Sequence, residues 1–188
     1  MIIGPVNHLE KCLFEVCSKE GYDCVSRNFP REIPEENPIL KYEKVCHLNK
    51  SDYHGNQMEG NQCQSFIKEK NLEKLESLLL EDNMPDDLVD KFINCLANIR
   101  KVYSSCCRTK LDPNHRQVTT QFKLSWLSLV DDPRVKLSIP NKVHYINDHF
   151  SDYFDDPMTG GEGLGTTTDQ IIEHMHSFID RNFRKSRY

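Results

Sequence analysis

Asn83 to Cys106 reads NMPDDLVDKFINCLANIRKVYSSC, and its apolar positions decide the fold class. Leu88, Phe92, Cys95, Leu96, Ile99, Tyr103 and Cys106 step by 4, 3, 1, 3, 4 and 3 residues, the period of a helix with a broad apolar face. Pro85 suits a first helical turn, where its missing N–H is no loss. A face this wide needs cover on several sides, so the spacing predicts the central helix of a bundle.

The flanks supply that cover. Upstream, Asn61 to Leu80 carries Cys63, Phe66, Ile67, Leu72, Leu75, Leu78 and Leu79, a helical stripe irregular only near Lys70. Downstream, Asp112-Pro113 reads as an N-cap followed by proline at the first helical position, opening a helix through Val118, Phe122, Trp126 and Leu129 that stops at Asp131-Asp132-Pro133. Pro140 starts another, with Val143, Ile146, Phe150 and Tyr153 in one stripe and Asp156-Pro157 as its end. The last helix follows the loop Gly160 to Gly165. There Thr167 and Gln170 match a capping box, and Ile171, Ile172, Met175, Phe178, Ile179 and Phe183 give an apolar face.

At the other end, Ile2 to Lys19 places Leu9, Cys12, Leu13, Val16 and Cys17 at helical spacing, with Asn7 as the cap. From Gly21 to Met58 the periodicity is lost and Pro30, Pro34 and Pro38 appear, which predicts a long loop. No stretch alternates long enough to specify a strand; Arg134 to Ile139 (RVKLSI) comes nearest and is short. The expected architecture is all-α, an irregular bundle of about five to six helices with a long N-terminal loop. Residues 1–58 form a helix and loop packed on the main body, and residues 59–188 form the helical domain.

Composition narrows function. The chain of 188 residues has a formal net charge of -5 and 28% charged residues of mixed sign, so it presents no global basic field to a polyanion. The exception is the tail Arg181, Arg184, Lys185 and Arg187, whose nucleic-acid binding would be weak and would fall steeply with salt. The longest apolar run, Leu78 to Leu80, is far short of the roughly 20 residues of a membrane span. The N-terminus lacks a basic-then-apolar leader, so the expected location is intracellular, in nucleus or cytoplasm, with no membrane partner. Several of the eight cysteines sit at apolar helix positions, which reads as free thiols acting as small hydrophobes. None forms the close pair of a structural zinc site.

The strongest chemical pattern is GGEGLGTTTDQIIEHMHSF, Gly160 to Phe178, in which Asp169, Glu173 and His176 share one helix face. Asp169 and Glu173 could ligate a divalent ion, or could be an acid favoured by the helix dipole beside a solvated glutamate. Glu173 and His176 also match half of a di-iron bundle motif, but no second half exists. The glycine loop lacks the lysine-serine ending of a phosphate cradle. His144 and His149 stand five apart, about 140° around a helix, and so form no ligand pair. Tyr53, His54 and Gly55 lead into Glu59-Gly60-Asn61, a polar turn suited to capping or to docking against the C-terminal loop.

Four stretches in order resemble the C-terminal part of transposase-like proteins encoded by eukaryotic DNA transposons. They are Gly4-Pro5-Val6-Asn7; Tyr53-His54-Gly55 with Glu59-Gly60-Asn61-Gln62-Cys63; Lys142-Val143-His144 with His149 and Phe154; and Gly163-Leu164-Gly165 with Asp169-Gln170, Glu173 and His176. The resemblance implies a fragment of a larger RNase H-like transposase whose DNA-binding region and remaining carboxylates lie elsewhere. It assigns Asp169, Glu173 and His176 to catalysis, Asp169 and Glu173 to Mg or Mn, and Tyr53, His54, Glu59, Asn61 and His144 to binding of DNA or of another transposase segment, to which the charge of the tail adds Arg181, Arg184 and Lys185 as binding candidates. The family has a serine-glutamate-glutamine triplet after its GLG loop, where this chain has Thr168, Asp169 and Gln170. A carboxylate one methylene short is displaced by about an ångström, which metal-ion catalysis tolerates poorly. The chain alone is therefore expected to be inactive and to carry no cofactor, its ancestral role being support of DNA transposition. The alternative is a non-enzymatic helical module that holds a protein partner.

Overall fold

A computed structural model describes residues 3–17, 37–51, 57–107, 110–156 and 163–164. Among these the chain is mostly helical, in the order α1 (Ile3–Val16), α2 (Pro38–Val45), β1 (Lys50–Ser51), β2 (Gln57–Met58), α3 (Gly60–Phe66), α4 (Glu69–Glu81), α5 (Asp86–Cys106), α6 (His115–Val130), α7 (Asn141–Asp148) and α8 (Phe150–Asp155). The only sheet among the described residues is the antiparallel pair β1–β2, with Lys50 opposite Met58 and Ser51 opposite Gln57. No described helix is long and apolar enough to cross a membrane.

The Pro85 stretch builds the centre of the molecule. α5 runs for 21 residues, with Asp86 and Asp87 in its first turn, where carboxylates meet the positive end of the helix dipole. Its buried positions Leu88, Phe92, Cys95, Leu96, Ile99 and Cys106 follow the predicted stripe, which Val89 and Val102 widen, while Tyr103 is only half-buried. That face packs on α6, α4 and α1. Trp126 of α6 is fully buried, its indole N–H donating to the Ser138 carbonyl at 3.2 Å. It lies edge-on to Phe122 and stacked with His8 of α1. One continuous apolar cluster runs from Val6 to Phe154, so residues on both sides of Met58 share a core.

The structure subdivides what periodicity joins. The stripe over Asn61–Leu80 is two helices, broken at Ile67 and Lys68, and Asn71 donates to the freed Ser65 carbonyl at 2.7 Å. The break lets Phe66 and Ile67 on one side and Leu72, Leu75 and Leu79 on the other all be buried. The helix after Pro140 is likewise two, α7 and α8, divided at His149 (φ -127°, ψ -17°). With α2, these divisions raise the helix count to 8 among the described residues, above the five to six expected.

Part of the supposed loop is ordered. Asn37 caps α2, accepting from the Ile39 N–H at 2.9 Å and donating to the Phe14 carbonyl at 3.3 Å. Tyr42 donates to the Phe66 carbonyl at 2.6 Å, which ties α2 to the end of α3. α2 and α4 both end in Schellman turns with a non-glycine residue in the left-handed region, His47 (φ 52°) and Asn83 (φ 61°). The Leu48 N–H reaches back to the Glu43 carbonyl at 2.8 Å and that of Met84 to Leu79 at 3.1 Å.

Two cap assignments shift. α6 begins at His115 rather than at Pro113, because Asp112 Oδ1 accepts from the Asn114 N–H at 2.8 Å and closes a turn before the helix. Asn7 lies inside α1 and caps nothing. Arg134 to Ile139 pairs with no strand among the described residues, yet Val135 and Leu137 are buried while Lys136 and Ser138 face solvent.

Candidate functional site

Three of the four stretches that carry the family resemblance meet in space. In the first, Asn7 is buried and grips a single residue of β2: its amide nitrogen donates to the Met58 carbonyl at 3.0 Å and its amide oxygen accepts from the Met58 N–H at 2.9 Å. The Cys63 thiol, at the inner face of α3, donates to the same Met58 carbonyl at 3.5 Å. Gly4 sits against the third stretch, where a Cβ would come within 2.8 Å of Lys142 Cδ on α7. The contact is with the outer part of an exposed lysine side chain, which a methyl at this position would displace. His8, one position after Asn7, reaches Ser138 ahead of α7, its Nε2 lying 3.4 Å from the hydroxyl oxygen.

A turn further along α1, Glu10 lies in a charged cluster with Lys50 and Glu43. Lys50 Nζ stands 2.8 Å from Glu10 Oε1 and 2.7 Å from Glu43 Oε1, the latter an approach in distance without hydrogen-bond alignment. Burial raises the Glu10 carboxyl to about 7, against the pull of the Lys50 ammonium. Burial alone would lower Lys50; its two carboxylate partners outweigh that and raise it. Two carboxylates share one cation here.

The third stretch carries an exposed imidazole pair. His144 on α7 directs Nδ1 to Asp148 Oδ2 at 2.8 Å, one helical turn on, while Lys123 of α6 binds the other oxygen at 2.5 Å. These hydrogen bonds, Lys123's foremost, hold the Asp148 carboxyl below its usual range. His149 Nε2 lies 3.3 Å from His144 Nε2. The expectation that the two histidines point apart is therefore wrong. It assumed an unbroken helix, and the division at His149 swings that ring back over the last turn of α7.

Other candidates are placed less tightly. Glu59 is the exposed residue at the N-terminus of α3, contributing its carbonyl to the Cys63 N–H at 2.8 Å but no side-chain cap, and Asn61 is exposed in the first turn. Asp169, Glu173, His176, Tyr53, His54, Arg181, Arg184 and Lys185 lie outside the described residues. No group of three or more His, Cys, Asp or Glu side chains among the described residues is placed to hold a metal ion.

The seven described cysteines are free thiols, and five of them are buried. Burial pushes Cys12, Cys63, Cys95 and Cys106 up to about 12 and Cys107 to about 11, far from the thiolate a nucleophile requires. They pack as small hydrophobes.

The sequence reading missed Glu10, Lys50, Lys123 and Asp148. Asp148 was recoverable as a partner four residues beyond His144 on one helix face; the others depend on contacts across 25 residues or more. Comparison with family models, curated proteins and solved structures returns no match.

Proposed function

We propose that the chain is a transposon-derived, transposase-like segment whose ancestral role is DNA transposition and which lacks strand-transfer activity on its own. One observation carries this reading: Gly4 and Asn7, Cys63, and Lys142, distant in sequence, adjoin around the start of α1. The buried part of this junction accounts for two residue types, an amide for a peptide group and a thiol for its carbonyl. In an intact ancestral enzyme, Asp169 and Glu173 would serve Mg or Mn, with DNA as substrate and the C-terminal basic residues contributing salt-sensitive affinity.

The purified full chain, incubated with Mg or Mn and DNA, is expected neither to cut nor to join strands. Cutting that disappears in Glu173→Ala would overturn the inactivity. Genomic sequence flanking the reading frame is expected to encode, intact or decayed, a DNA-binding region and further acidic positions. Flanks with no trace of either would overturn the descent.

The second reading, a non-enzymatic module that holds a protein partner, draws on Leu124. It stands 63% exposed in the middle of α6, the most exposed large apolar side chain among the described residues. Leu124→Lys abolishing a protein association while leaving the fold unchanged would favour this module.

A further inference from the structure

We propose that His144 and His149 form a two-imidazole binding site for a borderline divalent cation such as Zn, Ni or Cu, oriented by Asp148. This goes beyond the transposase reading and does not depend on it. The residues are different, and so is the metal class, because imidazole nitrogen selects these ions over the oxygen-seeking Mg and Mn.

Three features of the geometry point the same way. Two ring nitrogens bound at about 2.0–2.1 Å to one tetrahedral ion stand roughly 3.3 Å apart, and His144 Nε2 and His149 Nε2 are 3.3 Å apart. The ring centroids lie only 5.0 Å apart at an interplanar angle of 88°. That is closer than two rings joined collinearly through those nitrogens could be, so the rings meet at an angle through them rather than end to end. Finally, His144 Nδ1 faces Asp148 Oδ2 at 2.8 Å. Metal-binding histidines characteristically donate their second ring N–H to a carboxylate, which fixes the tautomer and leaves Nε2 with its lone pair outward.

The surroundings make the arrangement durable and accessible. Asp148 is held by Lys123 at 2.5 Å, so the carboxylate that orients His144 is itself anchored to α6. The side chain of His144 is 46% exposed, which leaves a path for the ion and for water to complete its coordination. In the metal-free protein the two nitrogens share a hydrogen. A bound cation replaces it, and the hydrogen passes to solvent. Two protein ligands give a weaker site than a structural zinc centre with four.

The test is a titration of the full chain with Zn, followed through the imidazole nitrogen resonances in NMR. The expected result is that the Nε2 signals of His144 and His149 shift together and saturate at one equivalent, while Mg at the same concentration moves neither. Zn that moves neither signal, or only one, overturns the proposal, and this readout needs no variant. In calorimetry, His144→Ala and His149→Ala should each remove the binding, with the double variant losing nothing further. Asp148→Asn should weaken it by about tenfold. Undiminished affinity in both single histidine variants, or its loss in Cys46→Ser, would place the ion elsewhere and overturn it as well.

Discussion

Asn7 and Met58 are joined by two hydrogen bonds across 51 residues, with the side-chain amide standing in for a neighbouring β-strand. β2 is two residues long and pairs only with β1 among the described residues, so the face of Met58 turned toward α1 needs another partner. An asparagine amide offers one donor and one acceptor in the spacing of a peptide group.

Replacing Asn7 by alanine leaves the buried Met58 N–H without its partner and the Met58 carbonyl with only the weak Cys63 thiol donor. The expected cost is about 1–3 kcal/mol, the worth of one buried group left unpaired. Asn7→Asp restores the acceptor but places a charge against the Met58 carbonyl and should be no milder. Urea unfolding of both variants checks this. A loss from Asn7→Ala indistinguishable from that of an exposed alanine substitution such as Asn61→Ala would show that the grip is dispensable.

How far the sequence discloses the fold varies along the chain for physical reasons. α5 was legible because a 21-residue helix buried on several sides repeats its apolar period often enough to exclude strands. α2 was not, since eight residues with Ile39 and Tyr42 as their only fully buried apolar side chains carry little period, and the preceding prolines masked its cap Asn37. The divisions at Ile67 and His149 were invisible because apolar spacing continues almost unbroken through both. Asn7 illustrates an ambiguity of residue type: asparagine is favoured at caps, but a tertiary peptide partner competes for the same amide. The candidate site divides similarly. His144 was recognised and its carboxylate partner is local, whereas the approach of His149 follows from a backbone break that no periodicity announces.

Glu10 makes a prediction with a definite sign. Its carboxyl is raised from 4.5 to about 7 in the folded protein, primarily by burial. Between these values the folded state holds a proton that the unfolded chain has released, so stability falls as pH rises through the window. The loss should amount to about 1–3 kcal/mol between pH 5 and 8, since a tenfold change in proton affinity is worth about 1.4 kcal/mol. Glu10→Gln keeps the shape of the protonated acid and should flatten that slope. Unfolding midpoints of the two proteins measured across this range decide the matter. Parallel curves would mean that Glu10 is already ionised at its low end.

Asp132 gives the opposite sign and a sharper contrast. It is buried after the end of α6 and accepts three hydrogen bonds from Arg134, from the backbone N–H at 3.0 Å, Nε at 2.9 Å and Nη2 at 2.7 Å, with a fourth from Lys91 Nζ of α5 at 2.6 Å. Arg134 also forks onto Asp87 in the first turn of α5, at 3.1 and 2.5 Å. These bonds, the Arg134 side chain's first, hold the Asp132 carboxyl well below the usual range. Its stabilisation is therefore present above the unfolded value of 3.8 and is lost as pH falls below it. Asp132→Ala should cost about 2–3 kcal/mol near neutrality, the worth of buried hydrogen bonds to a charged group, and should blunt the acid limb of unfolding. Asp87 has a side chain 63% exposed, and solvent screens its share of Arg134, so Asp87→Ala should be nearly silent. Arg134→Lys separates the two, because an ammonium cannot reproduce a fork that spans both carboxylates; it should fall between them. Denaturant unfolding at neutral and acid pH reads all three. If Asp87→Ala proved as costly as Asp132→Ala, the join between α5 and α6 would rest on the exposed arm of the network rather than on its buried one.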